Sequence, residues 1–297
     1  HFTPGYGSDN RAEPFTWAVM LLGSRALAGD KAAADQLRAA LLQWEQADAL
    51  TGSEASHDTY YALKRLMLPI VMNFAIVAEG MKEKDRKKIE QWIDKIIRPL
   101  DRKFGPDVNR NNHRALADSV LMAWGAYTGD AELYQKGIAG YRRMLGEARA
   151  DGALPLETRR GARALWYQRH AITSLVLMAE IARRHGDDLY SVRENGVSLE
   201  TIINYFFTAL RAPVKILPDA AANYIPGPED NYLEQDLAFL KRRGHGRHYM
   251  AFAEAYQLQE GFAARRMQAL MDVSERPLID EYFGGNASCF FRRPERE

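Results

Sequence analysis

Asn111-Asn112-His113-Arg114 puts two carboxamides, an imidazole and a guanidinium in four consecutive positions between two helical segments. Asparagine also ends helices and caps them, so part of this group has a purely local use. A second cluster supplies a chemical partner. In Glu157-Thr158-Arg159-Arg160-Gly161-Ala162-Arg163-Ala164-Leu165-Trp166-Tyr167, residues 160, 163 and 167 stand at i, i+3 and i+7. Continued as a helix, that spacing sets Arg160, Arg163 and Tyr167 on one face, two cations beside a phenol. An unperturbed tyrosine ionises near pH ~10. Positive charge nearby favours the phenolate and makes it a more capable proton acceptor near neutrality. The two clusters together offer donors for an anion and two groups able to move protons.

These motifs resemble those of the alginate lyase family of polysaccharide lyases, whose sites combine Asn-Asn-His with a later Arg-(x6)-Tyr segment. The spacing from His113 to Arg160 and Tyr167 agrees with the family's. Similar stretches begin at Ala49-Leu50-Thr51-Gly52 and continue through Asp151-Gly152-Ala153-Leu154-Pro155-Leu156-Glu157, Arg163-Ala164-Leu165-Trp166-Tyr167 and Ala179-Glu180-Ile181-Ala182 to Gly284-Gly285-Asn286. The resemblance implies an all-α fold, an incomplete (α/α) toroid of antiparallel helix pairs, as one domain over residues 1–297. It also implies a lyase that cleaves an acidic polysaccharide such as polymannuronate by β-elimination, with Asn112, His113, Arg160 and Tyr167 as its catalytic group. Family members are mostly periplasmic or secreted, so a removed signal peptide is expected, and we expect a monomer. One departure bears on the sugar. The family commonly continues Asn-Asn-His-x with Tyr-Trp, where this chain has Ala115-Leu116. A wider, less polar subsite beside His113 is expected from this, with Arg114 adding a cation, so glucuronate-containing or acetylated polymers join mannuronan as candidate substrates.

An elimination of this kind must first neutralise the uronate carboxylate, because an ionised carboxylate resists the further negative charge of an enolate-like transition state. Asn112 and Arg160 are suited to that. A base then removes the C5 proton and an acid protonates the departing O4. Where both lie on one side of the sugar, Tyr167 can do both jobs with His113 assisting. Where they lie on opposite sides, His113 is the natural base and Tyr167 the acid. No metal or cofactor is required. Loops at one end of the toroid are expected to carry Asn112, His113, Tyr61, Lys64 and Arg65, and a helix wall Arg160 and Tyr167. Arg114, Arg163, His245 and Arg247 complete the expected substrate-binding set. His245-Gly246-Arg247-His248 has metal-like spacing, but no carboxylate or cysteine cluster accompanies it, so it reads as groove lining. Arg159 and Arg169 read as surface residues pairing with Glu157.

Composition narrows the partners. Lys and Arg number 40 against 39 Asp and Glu, so no global charge draws the chain to nucleic acid or an acidic membrane, and a polyanion must be held by local clustering. With 297 residues and 46% hydrophobic content a substantial core can form. No apolar run approaches the ~18 residues of a membrane span, and the first residues lack the regions of a signal peptide, so no membrane insertion is expected. The single Cys289 excludes an intramolecular disulfide and any multi-cysteine metal site.

Helical periodicity predicts segments over 14–28, 31–50, 60–79, 81–103, 115–127, 131–150, 166–184, 204–210, 233–241 and 249–271, with Pro69 kinking or interrupting the third. Gly129-Asp130 with Leu133-Tyr134 is echoed by Gly186-Asp187 with Leu189-Tyr190, which suggests stacked helical hairpins. Pro213, Pro218, Pro226 and Pro228 mark a wrapped loop. Two rival functions stay open: a non-catalytic polysaccharide-binding relative within an exopolysaccharide assembly, and an (α/α)-barrel glycoside hydrolase, for which Asp118 and Glu157 are the available carboxylates.

Overall fold

Gly29-Asp30 turns the chain from helix α1 (Glu13–Leu27) into α2 (Lys31–Gln46): Gly29 takes a φ of +93°, and the Asp30 carboxylate accepts the Ala33 amide at 3.0 Å. The same device recurs between α5 (Asn112–Thr128) and α6 (Ala131–Glu147), where Gly129 has φ +75° and Asp130 accepts from Leu133 at 3.1 Å. A left-handed glycine ends one helix and an aspartate satisfies a free amide of the next, so each Gly-Asp pair makes an antiparallel hairpin. The Gly186-Asp187 echo behaves differently. After it the chain crosses a loop, and α9 (Leu199–Arg211) starts from a reciprocal Ser198–Thr201 capping box.

The computed structural model describes residues 12–52, 57–103, 110–223, 231–243 and 246–291. Between these two hairpins lie α3 (His57–Val77) and α4 (Glu83–Lys103); after α6 come the short α7 (Pro155–Thr158) and the long α8 (Ala164–Arg184). Helices α3, α5 and α8 stand side by side on the inside, backed by α2, α4, α6 and α9. This is the incomplete (α/α) toroid of an all-α chain. Inner and outer helices carry different patterns. α5 is buried from Arg114 to Gly125 and α8 from Gln168 to Ala182, whereas α4 buries one stripe that includes Ile89, Trp92, Ile93, Ile96 and Ile97. α3 is long and apolar enough to cross a membrane by length and composition, but 72% of its Tyr60–Val77 window is buried inside the fold, which marks it as a core helix.

Three glycines draw α5 and α6 together. A Cβ on Gly125 would meet the Tyr134 backbone nitrogen at 2.4 Å, one on Gly137 the Met122 side chain at 2.3 Å, and one on Gly140 the Asp118 carboxylate at 2.1 Å. At the far end of the chain, short strands β1 (Ile279–Asp280) and β2 (Gly285–Asn286) pair antiparallel around a helical turn at Glu281–Phe283, and this small hairpin lies against α3.

Several elements depart from the periodicity. α2 stops at Gln46, and a turn with Asp48 and Leu50 at positive φ follows, its Ala49 carbonyl held by the Trp92 indole at 2.7 Å. Pro69 does not interrupt α3. Within 233–241 only Ala238–Leu240 is helical, a single 3₁₀ turn. That stretch bonds instead to the start of α8: Asp236 donates its amide to the Ala162 carbonyl at 2.7 Å, and the Gln235 carboxamide accepts from the Leu165 amide at 3.0 Å. It therefore satisfies a helix N-terminus, which needs outside acceptors, and is not free to coil on itself. The expected helix over 249–271 is two pieces, α10 (Ala253–Tyr256) and α11 (Phe262–Asp272), separated at Gly261, whose φ is +110°.

Candidate active site

Asn111 is the N-cap of α5, its side chain accepting the His113 amide at 3.1 Å. This fixes where the next two residues point. Asn112 is fully buried, and Glu157 grips it twice, accepting both the Asn112 backbone amide and, at 2.8 Å, its carboxamide Nδ2. Among the described residues nothing donates to Asn112 Oδ1. Burial pushes the Glu157 carboxyl up to about 7, even though the Asn112 hydrogen bonds and the Arg160 charge pull the other way.

His113 follows in the first turn of α5, half-buried, its imidazole stacked on the Tyr61 ring with centroids 4.3 Å apart and planes 20° from parallel. The Lys64 ammonium donates to the His113 carbonyl at 3.1 Å. Lys64 is completely buried, and that burial, reinforced by the Arg114 charge, holds its pKa well below the usual lysine range.

Arg160 and Tyr167 meet by stacking. The guanidinium carbon of Arg160 lies 3.8 Å from the centre of the Tyr167 ring. They do not share a helix face as the spacing predicts. Arg160 sits in the turn after α7, Gly161 follows at φ +55°, and α8 begins only at Ala164, so Arg160 comes from a loop and only Tyr167 from the helix wall. Among the described residues no group hydrogen-bonds the Tyr167 hydroxyl.

The residues expected to bind substrate fall into two groups. Tyr61, Lys64 and Arg65 belong to α3, and His113 to α5, so helices carry them and not loops. Arg65, Arg114 and Arg247 have their charges engaged by carboxylates, and Lys64 is buried against the His113 carbonyl. Arg65 pairs with Glu281 at 2.7 Å, Arg247 reaches Glu281 at 3.3 Å as well as Glu13, and Arg114 pairs with the fully buried Asp118 at 2.6 Å. Arg163 is half-buried, 3.8 Å from Asp236 and 5.9 Å from the centre of the Trp166 ring. His245 lies outside the described residues. Ala115 and Leu116 are both fully buried in α5, so they form no subsite wall. Arg159 is exposed as expected, but Arg169 is wholly buried; it donates to the Tyr249 carbonyl at 3.0 Å and packs among Trp166, Tyr249 and Phe239.

A buried layer closes the site from beneath. Asp280 and Glu281 are adjacent carboxyls in the C-terminal hairpin. Burial and the neighbouring Glu281 charge push Asp280 up to about 7, whereas Arg65 and Arg247 outweigh burial at Glu281 and keep it ionised. Tyr282 brings its hydroxyl to 2.8 Å from that of Tyr61 and packs edge-on against His170 at 4.2 Å. Burial, with the charges of Arg169, His113, Arg65 and Lys64, keeps the His170 imidazole neutral. The sequence pointed to none of Asp280, Glu281, Tyr282 or His170. The available signal was an acidic pair and a tyrosine directly before Gly284-Gly285-Asn286. Among the described residues no three His, Cys, Asp or Glu side chains gather as metal ligands.

Comparison with known proteins adds a family and a fold. The pattern that describes the alginate lyase family matches residues 6–216, more than two thirds of the chain. A polysaccharide lyase of Stenotrophomonas maltophilia (strain K279a) is 34% identical over 173 residues, which are 57% of this chain and 52% of that protein. An alginate lyase of Cobetia marina is 26% identical over 210 residues, 68% of this chain and 52% of the relative. The chain thus spans about half the length of these curated relatives. Among solved structures, a variant of alginate lyase A1-III complexed with a tetrasaccharide superimposes with a TM-score of 0.81 at 24% identity, covering 95% of this chain and 78% of that one.

Proposed function

The chain belongs to the alginate lyase family, and from that premise we propose that it cleaves an acidic, uronate-containing polysaccharide by β-elimination. The observation that carries the reading is the Arg160–Tyr167 pair, a guanidinium 3.8 Å from the centre of a phenol whose hydroxyl has no hydrogen-bond partner among the described residues. A uronate placed there meets a two-pronged cation for its carboxylate and a hydroxyl for proton transfer. Asn112, wholly buried and held twice by Glu157, supports the site from beneath by fixing the first turn of α5 that carries His113.

In the reaction, the carboxylate is neutralised by Arg160, and the C5–H bond breaks as its proton passes to the base. The electron pair left on C5 forms the C4=C5 double bond, and the C4–O4 bond breaks with protonation of O4. Where C5–H and O4 lie on one face, Tyr167 accepts the first proton and returns one to O4. On substrates with opposite faces, His113 takes the proton and Tyr167 protonates the leaving group. The products are a chain with a new reducing end and one ending in an unsaturated uronate. Mannuronan is the first substrate we name, since its same-side geometry suits a single tyrosine. Glucuronan is the second.

Incubation with mannuronan, guluronan, glucuronan and pectate, followed by ultraviolet absorbance and reducing ends, tests this. New absorbance that grows with reducing ends supports the lyase. Reducing ends without absorbance would mark a hydrolase, and binding with neither product a non-catalytic relative.

A further inference from the structure

Helix α3 and the C-terminal hairpin are fastened to each other at three points along the helix. Tyr61 meets Tyr282 hydroxyl to hydroxyl at 2.8 Å; one turn on, Arg65 pairs with Glu281 at 2.7 Å; two turns further, Asn73 donates to the Gly284 carbonyl at 2.9 Å. Tyr61 and Arg65, at i and i+4, share a face, and Asn73, at i+12, is turned from Tyr61 by about 120°, so the hairpin follows α3 obliquely over three turns and its register is fixed. The middle and last fastenings lie away from His113. The first one continues into the site, because the other face of the Tyr61 ring system carries the His113 imidazole at 4.3 Å.

Tyr282 itself is held on every side. Its ring packs against the Arg65 guanidinium at 5.2 Å, His170 at 4.2 Å and Tyr249 at 6.2 Å, and its amide donates to the Asp280 carboxyl at 3.1 Å. Only 7% of it is exposed, so it does not reach a polysaccharide. Its hydroxyl therefore sets the Tyr61 ring, and the Tyr61 ring sets the plane of the imidazole. The His113 backbone is pinned separately, by Asn111 at its amide and Lys64 at its carbonyl. Backbone and ring are thus fixed by different groups. A proton-transfer group must be held within a few tenths of an ångström of its productive place, and such a support has a measurable effect on turnover.

We infer that Tyr282 is a positioning residue for His113, acting through the Tyr61 hydroxyl and ring. The inference rests on the lyase reading above for its kinetic test, but the arrangement of the imidazole can be followed without turnover.

The test compares full-length Tyr282→Phe, Tyr61→Phe and the double variant with wild type. Each substitution removes one oxygen and leaves every ring contact in place. Tyr282→Phe should lower kcat about 10-fold with KM within about 2-fold, Tyr61→Phe should match it, and the double variant should lose little more than either, since both break one link. In the same samples the imidazole proton resonances of His113, assigned by their loss in His113→Ala, should shift or broaden in both single variants. Wild-type kcat in a folded Tyr282→Phe would overturn the inference, as would losses that multiply in the double variant. A rise in KM alone would instead place Tyr61 on the substrate. Should Tyr282→Phe not fold, Tyr61→Phe decides, because Arg65–Glu281 and Asn73–Gly284 still hold the hairpin there. If wild type gives no unsaturated product on any polymer, the lyase reading fails, and unchanged His113 resonances separately refute the positioning role.

Discussion

Glu157 accepts two hydrogen bonds from one residue, Asn112, taking a backbone amide and a carboxamide with the two oxygens of a single carboxyl. This joins the α7 turn to the first turn of α5 at a point where neither side chain reaches water. Its protonation state is therefore a stability question as well as a catalytic one. The folded-state pKa is raised from 4.5 to about 7, so the folded chain holds a proton that the unfolded chain releases near 4.5. Stability is full below that lower value and falls as pH rises to about 7, by roughly 3 kcal/mol from this group. Glu157→Gln should flatten the decline in Tm between pH 5 and 7 relative to wild type; parallel curves would refute the shift. Because Gln presents only one acceptor, the variant should also lose about 10-fold in kcat through a loosened Asn112.

Tyr167→Phe keeps the ring under the Arg160 guanidinium and removes the hydroxyl. Turnover on the best polymer should fall by roughly 10³-fold, with Tm essentially unchanged. Retention of the wild-type rate would remove Tyr167 from the proton transfers.

Arg160→Lys keeps the charge but replaces a planar fork, stacked 3.8 Å from the Tyr167 centroid, with a single ammonium. A loss of roughly 100-fold, mainly in kcat, is expected if the contact tightens as charge develops on the carboxylate. An unchanged kcat with a raised KM would assign Arg160 to ground-state binding.

Two glycines of α6 should respond in opposite directions to the same change. Gly140→Ala drives a methyl to within 2.1 Å of the buried Asp118 carboxylate, which Arg114 and Arg143 hold in place, so about 2 kcal/mol and several degrees of Tm should be lost. At Gly146 the nearest atom is 3.8 Å away, and alanine should stabilise the helix by about 0.5–1 kcal/mol. Equal effects in a thermal melt would show that the α5–α6 approach does not depend on Gly140.

The inner helices and the Asn111–His113 motif were readable because each is local. A cap, a run of apolar residues and three adjacent polar side chains need no knowledge of the rest of the chain. Arg160 and Tyr167 were identified as a pair, but the geometry differs: Gly161 at φ +55° breaks the helix that would have aligned them, and the guanidinium folds over the ring instead. Lys64, Arg65, Arg114 and Arg247 were grouped correctly in space and misread in use. Arg65, Arg114 and Arg247 face buried carboxylates, Glu281 and Asp118, whose pairing with them no linear reading shows, and Lys64 gives its hydrogen bond to the His113 carbonyl. The 233–241 stretch had helical periodicity, yet its polar groups serve the amides of another element. Tyr282 was marked only by its place before Gly284-Gly285-Asn286, and nothing in a linear reading connects it to Tyr61.

The two hydroxyls that meet above Arg65 are 221 positions apart in the chain. During synthesis, α3 leaves the ribosome long before its fastening does, by roughly 10–45 s at ~5–20 residues per second. Throughout that interval the face of α3 that includes Arg65 waits without its counter-ion from the hairpin, and an arginine facing the inside of the ring must stay hydrated until Glu281 arrives. The last turn of assembly is therefore also the step that dehydrates the floor of the site. A nascent chain halted before Ile279 should already hold helical secondary structure and yet give no product, with activity appearing only as the final hairpin docks.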